Sequence, residues 1–148
     1  MASSAETANT VRRLVEGQRF GVLATRAGES PYLSLVALAA SPDLSRLFFA
    51  TSRATSKYAN LTSDGRVAVL VDDRTNRDAD LAHASALTVL GDAHEVEGAS
   101  RERGLAWFSA KHPSLREFAR SPDTALFEVK VRKYILVHEF SRIETFEP

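Results

Sequence analysis

The chain has 148 residues, no cysteine, and 19 basic side chains balanced by 19 acidic ones. That is the length of one ordinary domain, able to bury about two-thirds of its unfolded surface and so to hold a core without disulfide or metal staples. Zero formal charge gives no broad footprint for nucleic acid or anionic lipid, and the missing cysteines exclude thiolate nucleophiles, iron–sulfur clusters and cysteine-ligated zinc. The segment from Met1 to Glu6 has no basic stretch followed by an apolar one, so no secretory signal is expected. Apolar runs such as Leu35–Ala40 are too short to span a bilayer. The expectation is a cytoplasmic protein without a membrane or nucleic-acid partner.

Val11, Leu14 and Val15 recur at helical spacing and Gly17 follows, which predicts a short N-terminal helix. Phe20–Thr25 reads as a strand ending at the turn-like Ala27-Gly28-Glu29-Ser30. Further strands are expected over Tyr32–Ala40 and Arg46–Thr51. A short helix is expected over Thr55–Thr62, a strand over Arg66–Val71, and a solvated loop over the charged stretch Asp72–Asp80. Ser85–Val96 is a strand with a bend at Gly91, because interior glycines mark bulges. Ser100–Lys111 is a helix using Leu105 and Phe108 and stopped by Pro113. Ser114 and Glu117 have the spacing of a capping box for a second helix with Leu115 and Phe118 on its apolar face. From Thr124 to Phe146 the chain is β, with Ala125, Phe127, Val129 and Val131 inward and Glu128, Lys130 and Arg132 on a wet face.

These elements predict a mainly β fold with short helices (α+β): six to seven antiparallel strands in a small barrel. One domain spans 1–148, with an N-terminal helix in 1–18, a barrel core in 19–97, a helical insertion in 98–122 and C-terminal strands in 123–148.

Two segments carry candidate chemistry. Thr51-Ser52-Arg53-Ala54-Thr55-Ser56-Lys57 packs four hydroxyls and two cations between a strand end and a helix start. Helix N-termini bind anions and disfavour cations, so a phosphate would resolve the placement of Arg53 and Lys57. Simple capping of the helix by a hydroxyl, with Lys57 in solvent, is the alternative. Leu35-Val36-Ala37-Leu38-Ala39-Ala40 suits either a strand buried on both faces or a backbone that a flat ring can approach.

The ordered set Gly-Val-Leu-Ala-Thr (21–25), Pro-Tyr-Leu-Ser-Leu-Val (31–36), Leu-Phe-Phe-Ala-Thr-Ser (47–52), Ser-Lys-Tyr-Ala-Asn-Leu (56–61) and Gly-Arg-Val-Ala-Val-Leu-Val (65–71) resembles the pyridoxamine 5'-phosphate oxidase-like family of FMN-binding split β-barrels. Ala86–Ala93 and His112-Pro113 are most similar to its haem-utilisation, HugZ-like branch. The resemblance implies a homodimer with FMN at the subunit interface. It implies a ring lined by Leu35, Val36, Ala37 and Leu38, and a phosphate held by Thr51, Ser52, Ser56 and Lys57. It thereby favours the anion reading of that turn.

Departures narrow the function. Ser56 precedes Lys57 where the pyridoxamine phosphate oxidase itself has an Arg-Lys pair, leaving Arg53 as the nearest arginine. The C-terminal Arg-x-His motif is missing, which argues against vitamin B6 oxidation. Val137–Arg142 keeps Phe140 and Arg142 but lacks the glycines of the haem branch, and the second domain of longer haem-handling members is not expected. The histidines His83, His94, His112 and His138 show no metal spacing. His112 reads as a helix C-terminal residue facing the last carbonyls. His138 reads as a structural strand histidine, with a haem-ligand or proton-donor role as the alternative, and Trp107 as core or interface. The expectation is an FMN flavoprotein acting as an oxidoreductase on an unidentified small molecule, with no metal and no assignable general acid or base. The alternatives are a flavin- or haem-binding protein without turnover, and a reductase using the deazaflavin F420.

Overall fold

The stripe at Val11, Leu14 and Val15 is fully buried in the computed structural model, which describes residues 2–139 and 141–148. It lies on helix α1 (Ser4–Gly17). This helix begins earlier than its apolar stripe because Ser3 and Glu6 form a capping box: Glu6 N–H donates to Ser3 Oγ (3.2 Å) and Ser3 N–H to Glu6 Oε2 (2.7 Å).

Strands β1 (Phe20–Ala27) and β2 (Ser30–Ala37) form a hairpin in which Gly28 takes φ +66°. A positive φ at the first central position of a two-residue loop suits glycine. The expected strand over 32–40 does not run through. It breaks at Leu38, and Ala39–Ala40 form a separate short strand, β3, that pairs with β4 (Arg46–Ser52). Helix α2 (Ser56–Ser63) leads into β5 (Arg66–Asp72). The charged loop folds back through a short helix absent from the sequence reading, α3 (Asp80–His83), before β6 (Ala86–Glu95). Helix α4 (Gly98–Lys111), a 3-10 turn (Pro113–Leu115) and α5 (Arg116–Arg120) precede β7 (Thr124–His138) and β8 (Arg142–Phe146). Phe140 lies outside the described residues.

Every pairing is antiparallel, in the order β2-β1-β5-β6-β7-β4-β3, with β8 added to the far half of β7. The two ends of this path, β2 and β3, are separated in the chain by Leu38 alone. The sheet must therefore curl until its ends meet, as in a split barrel. The bend expected at Gly91 is a register shift between Leu90 and Gly91. A Cβ there would stand 2.4 Å from the Lys130 carbonyl, so the close backbone approach requires glycine.

Inside the barrel lies a core that includes Leu23, Leu47, Phe49, Val69, Val89, Phe127 and Tyr134. A second cluster, Phe48, Leu105, Phe108, Ala119 and Leu126, packs α4 onto the outside of β4 and β7. The expected wet face is kept at Lys130 and Arg132, which are exposed, and lost at Glu128. Glu128 is buried, and its carboxylate is paired with Arg46 (3.0 Å) and His94 (2.9 Å). Gly104 lets α4 approach; a Cβ on it would be 2.7 Å from the Phe48 ring. Trp107 is half-buried, tilted against Phe48 at 5.6 Å.

The capping box expected at Ser114 and Glu117 does not form. Pro113 opens a 3-10 turn closed by Leu115 N–H to the His112 carbonyl, so Ser114 has no extended cap conformation to offer. Phe118 is exposed, and Ala119 takes the buried position.

The His112 ring does not address its own helix. Its Nε2 lies 2.8 Å from the carbonyl of Leu38, which can only accept, so Nε2 carries the proton. The Leu38 N–H donates to the Arg19 carbonyl (3.0 Å). His112 thus pins the residue at which the chain leaves β2 for β3. Lys111 beside it donates to the carbonyls of Val15 (2.8 Å) and Gln18 (2.6 Å) at the end of α1. Burial, with Lys111 and Arg19 nearby, holds the His112 pKa below its ordinary 6.5. The unfolded chain therefore takes up the proton first, and this contribution to stability is lost as pH falls below 6.5. The urea midpoint is expected to drop from pH 7.5 to pH 5.5, and His112→Gln should lower the midpoint at pH 7.5 while flattening that dependence. An unchanged slope in the variant would remove His112 from this role.

Candidate functional site

The turn between β4 and α2 is built by its hydroxyls. Thr55 caps α2: its Oγ1 accepts from Tyr58 N–H (3.2 Å), donates to the Ser52 carbonyl (3.0 Å), and lies 2.9 Å from the buried Thr51 Oγ1. With Tyr58 N–H capped, the amides of Ser56 and Lys57 at the start of the helix have no acceptor among the described residues. Lys57 Nζ lies 3.4 Å from Thr51 Oγ1 and has no carboxylate within ion-pair distance among the described residues. The amides of Ser56 and Lys57 and the Lys57 ammonium are thus three donors within one short segment, which also carries the Ser52 hydroxyl, an acceptor for Ala54 N–H (3.3 Å), and the Ser56 hydroxyl. That donor set fits a phosphate.

Arg53 is not part of the set. Its guanidinium pairs with Glu95 (2.7 Å), reaches the Tyr58 hydroxyl (3.3 Å), and donates from Nε to the Pro122 carbonyl (3.3 Å). Glu95 and Tyr58 keep it charged, raising its pKa. The Tyr58 hydroxyl donates to the same carboxylate (3.1 Å). Arg53 thus holds α2 and the end of β6 together instead of offering a charge to a ligand.

Of the strand residues, Val36 and Leu38 turn inward and are buried, so their side chains face the core. Leu35 is 67% exposed, and Ala37 is half-buried against the α4 cluster. β2 ends the sheet path. The Leu38-to-Arg19 bond fixes the alternation, so the N–H and C=O groups of Leu33 and Leu35 point away from β1. The outer edge of β2 therefore presents backbone donors and acceptors beside an exposed Leu35, which is what the polar edge of a flat ring needs.

The two halves of the site are tied together. Asn60 on α2 donates to Thr25 Oγ1 (3.2 Å), and Thr25 lies opposite Tyr32 in β2. Leu35 is three residues further along that strand, about 10 Å at strand rise. Sequence reasoning does not single out Thr25, Tyr58, Asn60 or Glu95. Tyr58 and Asn60 adjoin Lys57, but Glu95 is 42 residues from Arg53 and no local pattern points to it.

The other histidines do not add to the site. His94 is oriented by Glu128. His138 Nε2 is buried 3.3 Å from Glu144 Oε2 without hydrogen-bond geometry. Among the described residues no three His, Asp or Glu side chains form a metal-binding group, and no helix is long and apolar enough to cross a membrane.

The fold is shared widely. A haem-binding protein from Mycobacterium smegmatis superposes with a TM-score of 0.85 at 20% identity, over 99% of this chain and 59% of that one. ChuZ of Campylobacter jejuni gives 0.82 at 12% identity, over 99% and 61%. An FAD-binding protein from Mesorhizobium loti gives 0.70 at 17% identity, over 91% and 92%. The chain thus spans about three-fifths of the length of the first two. No curated protein sequence matches it. The pyridoxamine 5'-phosphate oxidase family profile, however, matches residues 8–138, from the first helix through the whole of β7, and the chain belongs to that family.

Proposed function

We propose that the protein is a homodimeric FMN-binding flavoprotein and an oxidoreductase. The observation that carries this is the set of donors at the start of α2, the Ser56 and Lys57 amides and the Lys57 ammonium, none of which is paired with a carboxylate among the described residues. Thr51 and Thr55 set the shape of this cradle, and Ser52 and Ser56 complete it. Leu35 and the free edge of β2 take the ring, with Ala37 at its far end. Val36 and Leu38 act from beneath, by fixing the strand. FMN, when bound, supplies the redox chemistry; the chain binds, orients and shields it.

A second copy of the chain is the partner that fits the outer face of the barrel. Phe20, Leu33 and Leu35 are each more than half exposed there, and exposed apolar patches of this kind mark interaction surfaces. A partner on that face covers the β2 edge and excludes water from the ring.

Titration of the purified protein with FMN, followed by absorbance and flavin fluorescence, should give saturation at one FMN per chain. Reduction of the loaded protein by NADPH or NADH then separates an oxidoreductase from a carrier. Failure to take up FMN, with a Soret band on adding haemin or saturation by F420, would replace the flavin with that cofactor.

A further inference from the structure

The crossing from β2 to β3 is made at a single residue, and both of its backbone groups are held from outside the strand. Leu38 N–H donates to the Arg19 carbonyl (3.0 Å), and the Leu38 carbonyl accepts from His112 Nε2 (2.8 Å). Arg19 lies between α1 and β1, and His112 ends α4. The two clamps are joined, because Lys111 on α4 donates to the Val15 and Gln18 carbonyls at the end of α1. His112 is buried, with its ring 5.0 Å from that of Phe108. The charged groups that face it are Lys111 and Arg19, both cations. Glu16 on α1 faces Lys111 instead and is paired with Arg12 (3.3 Å). A proton on His112 is therefore a third positive charge in one buried corner, with no carboxylate of its own among the described residues, and burying such a charge is costly. The corner relieves that cost by opening, and opening frees the Leu38 carbonyl.

We propose that His112 is a pH latch on the ring site: neutral, it locks the end of β2 in the register that presents its edge, and protonated, it lets that edge go. The latch rests on the flavoprotein reading for its ligand, since Leu38 directly follows the Leu35–Ala37 edge assigned to the ring. A strand pinned at one residue keeps its alternation only while the pin holds, so ring affinity falls on acidification. The phosphate cradle on α2 lies outside the latch. Coupling of this kind is reciprocal: if the proton weakens ring binding, ring binding must hold off the proton by the same free energy.

Riboflavin is the probe, because it lacks the phosphate, which itself titrates near pH 6. Its affinity should fall about three- to tenfold from pH 7.5 to pH 5.5, within the limit of tenfold per pH unit for one linked proton, while circular dichroism shows the fold intact. His112→Gln keeps a donor for the Leu38 carbonyl and cannot titrate, so its riboflavin affinity should be the same at both pH values. A second measurement needs no variant: the NMR titration of the His112 ring in the wild type should give a lower pKa with riboflavin bound than without. Hydrogen exchange at the Leu38 amide reads the latch itself, and its protection should fall at pH 5.5 in the wild type but not in His112→Gln. A riboflavin affinity that ignores pH, a dependence kept in full by His112→Gln, or a His112 pKa unmoved by riboflavin overturns the latch. A protein that takes up riboflavin with Leu38 equally protected at both pH values refutes the latch alone. One that loses Leu38 protection through His112 but takes up no flavin refutes the flavin reading alone.

Discussion

Replacing Lys57 with alanine weakens FMN binding by about ten- to a hundredfold, the range of a charge-assisted hydrogen bond at about 1.5–3 kcal/mol, and leaves riboflavin binding unchanged. Riboflavin has the same ring without the phosphate, so the difference isolates the cradle. Stability moves the other way. Lys57 is a cation in the first turn of α2, where the helix dipole disfavours it by about 0.3–1 kcal/mol, so the ligand-free variant should melt at the same temperature or slightly higher. The wild-type residue is then one that costs stability until an anion arrives. Equal losses for FMN and riboflavin, or a lower melting temperature without ligand, would make Lys57 a structural residue. Arg53→Ala separates the two cations further. Its guanidinium is committed to Glu95 and Tyr58, so it should affect FMN and riboflavin equally, through the seating of α2.

Phe127→Ala has the largest expected effect on stability, about 3–5 kcal/mol. The ring is buried, stacked on Phe49 at 5.5 Å and met edge-on by Tyr58 at 5.9 Å. Tyr58 belongs to α2, and its N–H is the amide that Thr55 caps. The cavity therefore opens directly beneath the phosphate cradle, and FMN affinity should fall along with the urea midpoint. Phe127→Leu, which keeps most of the volume, should cost about 1–1.5 kcal/mol and leaves a folded protein in which the coupling can be measured. A loss below about 1 kcal/mol in the alanine variant would show that this ring does not support the core.

Much of this was legible in the chain. Alternation and turn residues located seven of the eight strands to within a few residues, counting the C-terminal β region as two, because those signals depend on neighbours in sequence. The glycine at 91 marked its bulge for the same reason. Where the sequence reading failed, the cause was a partner distant in the chain. The strand over 32–40 is broken because Leu38 is claimed by Arg19 on one side and by His112 on the other. Glu128 lies buried on a strand expected to be wet there, and the partners that meet its carboxylate, Arg46 and His94, come from two other strands. Arg53 looked like a phosphate ligand until Glu95 appeared beside it.

The sequence by itself determined the periods of burial, the turns, the hydroxyl-rich start of α2 and the need for any redox chemistry to come from a bound group. Each is a property of residue type at short separation. Only the tertiary structure decided which of those residues are free to act. It spends Arg53 on Glu95, buries Val36 and Leu38, and leaves Lys57 and Leu35 open. Availability is set by what the curled sheet brings within a few ångströms, and that depends on contacts between residues tens of positions apart.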